Sequence, residues 1–584
     1  MNTPNLTSRL EALETRLAPA GLVTITLANG VLTIAGDPRD NIVEITESSP
    51  GIWRAQDLSG SGTEFAFNGQ PPSSAVSFFI PTGGVKVDLK EGNDNFNLGG
   101  LDIAGALTVT DKAGNDDLGL FETRVSGAVK IDLGSGDDTA AFSRTSIGGA
   151  LSFKMGSGDD GVALGSGYYQ AVTVDLGTGT NTFGLDAGEP LRIHGNLNVV
   201  SAGGALETTS MVLATDNALI HGNVSLKVLA GSSQVDFGFF VGNHLRIAGN
   251  LSLQTAAGND QIRLTEDLTV GGQLSLKLGE GDNAVSSTGL KTFSLGSLAY
   301  TGGKGDDVLD LRGTIGTIAG SVTTSLGSGG TNVVDVNPAT SLIIGGGFSY
   351  KGSTGNDLLF ISGPRAEIHG AVNFTGLSGT NSLSLVPVLG RFGPITATGG
   401  AQTDLFTLGS FSGGTVEITV LGKVSVNHSS GPSSLVVSDV THHGALSVAN
   451  AGGTNMYIQD SQMNGPVTLK ATGNSISFFD ISNTTFVGAF SLTTGGGADT
   501  VLLDASTGTS RLNLFRSQST ISLGAGDDFF RAGDTPVAPN QGNAFGGVLT
   551  VSGGSGTDTA LLLVGYGNAF DLPAQIKNDV EIQA

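Results

Sequence analysis

The sequence predicts an all-β fold, a parallel β-helix built from stacked coils, and three observations carry that expectation. The first is a fixed period: four blocks between Val85 and Gln170 align in register, and Asp94, Asp116, Asp138 and Asp160 follow one another at intervals of 22 residues. The second is alternation. Each block carries short apolar runs of period two, and two apolar residues follow the corner acid at its second and fourth places, as Leu359 and Ile361 follow Asp357. The third is punctuation by glycine, which supplies 92 of 584 residues without the strict triplet of collagen and falls at Gly-x-Gly-Asp corners. Three short strands in each repeat of roughly 22 to 25 residues fit the triangular coil of a right-handed β-helix better than the two-stranded coil of a β-roll, which needs ~18. About twenty such coils are expected, capped at both ends.

In chain order, residues 1–20 read as an amphipathic leader or capping helix. Leu6, Leu10, Leu13 and Leu17 keep helical spacing, Ser8 and Glu11 have capping-box spacing, and Pro19 ends the run. Ala18-Pro19-Ala20 leaves a sorting or processing leader as the alternative. Residues 21–84 alternate without keeping the period and read as an N-terminal β cap. Residues 85–565 are the β-helix repeats, and residues 566–584 the C-terminal cap. Corners recur at Asn181, Asp260, Asn283, Asp307, Asn332, Asp357, Asn381, Asp404, Asn455, Asp499, Asp528 and Asp558, with weaker ones near Leu206, Gln234, Ser434 and Ser475.

Composition narrows the function. A net charge of −24 leaves no basic stripe for phosphate, so nucleic acid is not an expected partner, whereas cations are. With 14% charged and 39% hydrophobic residues the chain can build a core rather than remain a disordered acidic tail. It has no cysteine, hence neither a disulfide framework nor a thiolate zinc site, and no apolar run long enough for a transmembrane helix.

The N-terminal stretch Leu10-Glu11-Ala12-Leu13-Glu14-Thr15-Arg16-Leu17, followed by Leu32, Ile34, Gly36, Asn41, Val43 and Ile45, resembles the start of repeat-rich surface proteins of planctomycete bacteria. Those carry a short Leu-Glu-x-Arg-Leu motif ahead of a β-rich passenger. The resemblance implies an extracellular or cell-envelope location and no chemistry. Two corners, Gly302 to Asp310 and Gly553 to Leu561, resemble the calcium-binding nonapeptide of RTX proteins, although here one copy falls in each coil rather than in tandem.

The corner acids are the repeated polar constellation, and two readings stand side by side. Glycine can permit the bend while Asp or Asn makes an Asx turn with a nearby backbone N–H. Alternatively, the Asp row holds calcium. Carboxylates stacked at the ~4.8 Å strand spacing repel by ~1 kcal/mol in water and ~3.5 kcal/mol at an effective dielectric of 20, so a mere cap is better served by Asn. The uninterrupted run of Asp94, Asp116, Asp138 and Asp160, joined by Asp117, Asp137 and Asp159, is therefore the expected calcium site, with Asp306, Asp307, Asp527, Asp528 and Asp558 as further candidates. His194, His221, His369 and His443 each precede a corner glycine and are expected in solvent.

No nucleophile elbow, zinc-protease helix or Walker loop is present in the sequence. The expected function is a non-enzymatic structural or adhesive β-solenoid of the cell envelope or extracellular space, stabilised by calcium and meeting surface polysaccharide or other envelope proteins. The alternative is a polysaccharide lyase or glycoside hydrolase on a pectate-lyase-like β-helix. Against it, aromatic platforms for sugar are scarce: the chain has one Trp and six Tyr.

Overall fold

The computed structural model describes residues 21–187, 190–204, 208–215, 218–238, 244–287, 290–410, 416–503, 513–533, 543–562, 569–570, 575–577 and 580–583. The proposed leader helix lies outside the described residues, as does much of the C-terminal segment 566–584. Every regular element among the described residues is a β-strand, and the chain divides into two compact units, 1–210 and 211–584.

In the first unit, alternation and period combine into three parallel stacks. One stack joins Val85–Asp88, Leu107–Thr110, Val129–Asp132, Leu151–Lys154, Val172–Asp175 and Leu197–Ser201. A second joins Asn95–Gly99, Asp117–Phe121, Thr139–Ser143, Gly161–Leu164 and Thr182–Ala187. The third is short, running from Asp102–Ile103 through Arg124–Val125, Thr145–Ile147 and Gly167–Tyr169 to Leu191–Ile193. These stacks make the chain a parallel β-solenoid. Because successive strand residues face opposite ways, Val87, Val109, Ile131, Phe153 and Val174 form one column of the core. Volume is balanced across the coil: Ala140 beside Phe142 leaves room for that ring to meet Phe153, centroids 5.2 Å apart.

Parallel pairing begins ahead of Val85. Val31–Ala35 pairs parallel with Val85–Asp88, and Ile42–Ser49 with Asn95–Gly99. On the outer side of that first layer the pairing turns antiparallel: Leu22–Ala28 against Val31–Ala35, Ile52–Gln56 against Ile42–Ser49, and Ala75–Phe79 against Ile52–Gln56. Trp53, fully buried, sits in this antiparallel ribbon.

The second unit repeats the stacked pattern from Val322–Ser325 through Phe348–Lys351, Val372–Thr375, Ile395–Thr398, Val424–His428 and Leu446–Asn450 to Val467–Ala471. Phe486, Phe515 and Phe545 stack face to face with centroids 4.8 Å apart, which is the strand spacing, so each ring occupies the same seat in its own coil.

Candidate functional site

The corners explain why glycine recurs at fixed places. Gly114 and Gly136 have φ of +145° and +134°, and a Cβ on either would overlap the carbonyl oxygen of the corner glycine one coil earlier, Gly92 and Gly114 respectively. Only glycine lets adjacent corners approach this closely. The approach brings the acid that follows within reach of the neighbouring coil's backbone.

Two side-chain ladders result, and they run in opposite senses. In the inner ladder each buried corner residue donates its backbone N–H forward to the side-chain oxygen of the next corner residue. Asn41 donates to Asp94 Oδ1 (2.6 Å), Asp94 to Asp116 (2.8 Å), Asp116 to Asp138 (2.9 Å), Asp138 to Asp160 (2.9 Å) and Asp160 to Asn181 (3.0 Å). In the outer ladder, one residue earlier, the N–H donates backward: Asn115 to Asn93 Oδ1, Asp137 to Asn115 and Asp159 to Asp137, at 2.8 to 2.9 Å. The inner acids are at most 3% exposed, whereas Asp137 and Asp159 face solvent.

Sequence spacing places Asp117 in one row with Asp137 and Asp159; the structure separates them. Asp117 opens a strand on the far side of the inner acid, where it accepts from Asn95 Nδ2 and Thr139 Oγ1. Neighbouring residues of an extended chain point to opposite faces, so the Asp-Asp pairs do not converge on one point. The remaining candidates divide the same way. Asp306 and Asp527 belong to the outer ladder, accepting from Thr331 N and Thr557 N. Asp307, Asp528 and Asp558 are buried in the inner one, where Asn283 Nδ2 reaches Asp307 Oδ1 and Asp528 N reaches Asp558 Oδ1.

The inner ladder uses one oxygen of each acid and leaves the other to its surroundings. At Asn corners the second atom is a nitrogen and is satisfied. Asn283 Nδ2 lies 3.0 Å from the carbonyl oxygens of Gly279 and Gly281, Asn332 Nδ2 3.3 Å from that of Gly327, and Asn381 Nδ2 3.3 Å from that of Gly379. At Asp corners the equivalent atom is an oxygen, which cannot donate as the amide nitrogen does. The Oδ2 atoms of Asp94, Asp116, Asp138, Asp160, Asp307, Asp357 and Asp528 are buried and have no hydrogen-bond partner. Other corners bring a donor: Thr255 Oγ1 reaches Asp260 Oδ2 at 2.5 Å, His428 Nδ1 reaches Asp404 Oδ2 at 3.3 Å, and Gly554 N reaches Asp558 Oδ2 at 3.0 Å.

Electrostatics follow this division. Burial, reinforced by the neighbouring acids, pushes the carboxyls of Asp116 and Asp160 up to about 6 and that of Asp138 up to about 8. A buried, orphaned Oδ2 is relieved by either a proton, which makes it a donor like the Asn amide, or a cation shared with other oxygens.

Sequence reasoning missed several participants. Asn41 is the first corner, 53 residues before Asp94, and the apolar Val43 and Ile45 at its second and fourth places carry the same signal as the later corners. In the second unit the buried ladder positions are Ser233, Ser433, Thr454 and Ser477, not Gln234, Ser434, Asn455 and Ser475. A pattern keyed to acids and amides slips by a residue or two where a hydroxyl fills the seat. Asp111, in no predicted row, is buried with one oxygen unpartnered. Among the histidines, His194, His221, His369 and His443 are exposed, and the buried His428 and His442 carried no sequence signal.

Two pockets open on the described surface. One of about 300 Å³ is lined by Ser430, Pro432, Thr454, Asn455 and Ile476 among others, and an apolar one of about 340 Å³ by Leu27, Ile52, Phe67, Phe78 and Phe79 among others. Neither has an ionisable side chain in its lining. No family model, curated protein or solved structure matches the chain.

Proposed function

We propose that this chain is a non-enzymatic structural or adhesive β-solenoid of the cell envelope or extracellular space, with calcium as the cation taken by its aspartate corners. The observation that carries the reading is where the repeated acids spend their hydrogen bonds: inner and outer corner acids alike accept backbone N–H groups from adjacent coils. A side chain committed to holding coils together is not poised as a general acid or base toward a substrate. Each such bond to a carboxylate contributes roughly 1.5–3 kcal/mol, and the ladders bind coils that cannot stand alone.

The envelope location rests on the N-terminal Leu10 to Leu17 resemblance, and surface polysaccharide or other envelope proteins are the partners it suggests. Cell fractionation tests the location: recovery in the envelope or medium is expected, and a wholly cytoplasmic protein overturns it. A polysaccharide panel, run with calcium and with chelator, tests the role. Binding without bond cleavage is the expected result; turnover abolished by one strand-face carboxylate substitution replaces the structural reading with the enzyme.

A further inference from the structure

Asp111 stands outside both ladders, in a seat that its neighbours fill with hydrocarbon. The residue five places before the inner corner acid is Leu89, Leu133, Met155 and Leu176 in the flanking coils, each buried. In the second unit Thr255 takes that seat and donates its hydroxyl to Asp260. Asp111 is an acid in the same place, 7% exposed, and its Oδ1 accepts the N–H of Lys112. Its Oδ2 is buried with no partner.

That side chain is aimed at the gap between two corners. One carboxylate oxygen each from Asp94, Asp111 and Asp116 lies within 4.8 Å of the others. Oxygens on one calcium ion, at about 2.4 Å from it, lie no more than about 4.8 Å apart, so the three fit a single coordination sphere. Asp94 and Asp116 each contribute an unpartnered Oδ2. These are hard oxygen donors. Three buried carboxylates with three orphaned oxygens cannot all stay ionised without a cation among them.

We infer that Asp94, Asp111 and Asp116 form a distinct site for one divalent, oxygen-preferring cation, with Asp111 as the ligand that distinguishes it from every other corner described. The site deepens the calcium part of the proposed function and rests on it.

Calorimetric titration of the full chain with calcium chloride, in wild type, Asp111→Leu and Asp138→Asn, tests the site. Leucine is the side chain the flanking coils carry, so Asp111→Leu is expected to fold, as far-ultraviolet circular dichroism checks. The expected result is one calcium fewer per chain in Asp111→Leu and that calcium retained in Asp138→Asn. The calcium-induced rise in Tm shrinks in Asp111→Leu. Unchanged stoichiometry in Asp111→Leu overturns this site while leaving calcium at other corners; no calcium uptake by wild type overturns both. A variant that melts above wild type in calcium as well as in chelator identifies Asp111 as a proton-sharing acid and also overturns the site.

Discussion

The corners from Asp94 to Asp160 and those from Asn283 to Asp404 build the same inner ladder from different residues. In the first, four aspartates stand in succession and each leaves a buried Oδ2 unpartnered. In the second, Asn283, Asp307, Asn332, Asp357, Asn381 and Asp404 alternate, and each amide nitrogen reaches the next acid's Oδ1, at 2.9, 3.2 and 2.8 Å. An alternating ladder separates buried charges by two coils and gives the Oδ1 of each acid an amide donor, although Asp307 and Asp357 still keep an unpartnered Oδ2. An all-aspartate ladder has neither the spacing nor the amides, so it depends more on something from solution. The difference shows that one backbone geometry yields a seam that depends more or less on protons or cations, according to a single atom per corner.

The largest expected effect is on pH dependence in chelator. The carboxyls of Asp116 and Asp160 rise to about 6 and that of Asp138 to about 8 from an ordinary 3.8. The folded chain therefore holds more protons than the unfolded one between about 4 and 8. Stability falls as pH rises through that window and levels off above it. Amide exchange, corrected for intrinsic rate, reads this locally: protection at Asp116 and Asp138 should fall more steeply than at Asn332. Equal loss in both regions breaks the comparison. Saturating calcium should flatten the slope.

Next comes Asn332→Leu, which removes the donor to Gly327 O and Asp357 and the acceptor for Asp307 N. Stranding these buried groups should cost ~3 kcal/mol in a urea titration. A cost under ~1 kcal/mol would mean that the alternation contributes little. Asp138→Asn runs the other way, placing an amide where an orphaned oxygen stood. In chelator it should stabilise by ~1–2 kcal/mol, and in saturating calcium the gain should shrink or reverse. A gain undiminished by calcium favours a plain hydrogen-bonded turn there. The smallest effect is expected for Asp137→Asn in the exposed outer ladder, within ~0.5 kcal/mol, because an amide oxygen accepts the Asp159 N–H equally well.

Much of the coil was legible because its causes are local. Alternation set which face of each strand is buried, as at Val85, Val87 and Leu89, and glycines at positive φ such as Gly92, Gly114, Gly136 and Gly158 marked the regular bends. Asp94, Asp116, Asp138 and Asp160 were legible as one row because the period is constant there. The same reasoning failed for Asp117, whose neighbour in sequence is not its neighbour in function. It failed again at Thr454 and Ser477, where a hydroxyl replaces the expected amide or acid. His428 gave no signal, since its partner Asp404 lies 24 residues away, in the preceding coil.

From the sequence alone come the repeat, the strand alternation and the stacked parallel coil, because periodic side-chain chemistry dictates which atoms leave water. Tertiary structure alone decided which oxygen of each acid is used, which ladder it joins and that Asp111 meets Asp94 and Asp116. Those contacts cross between coils, and their register depends on how closely Gly92, Gly114 and Gly136 let the backbones approach. A hydrogen bond is made or lost over a fraction of an ångström, a distance that only the assembled stack defines.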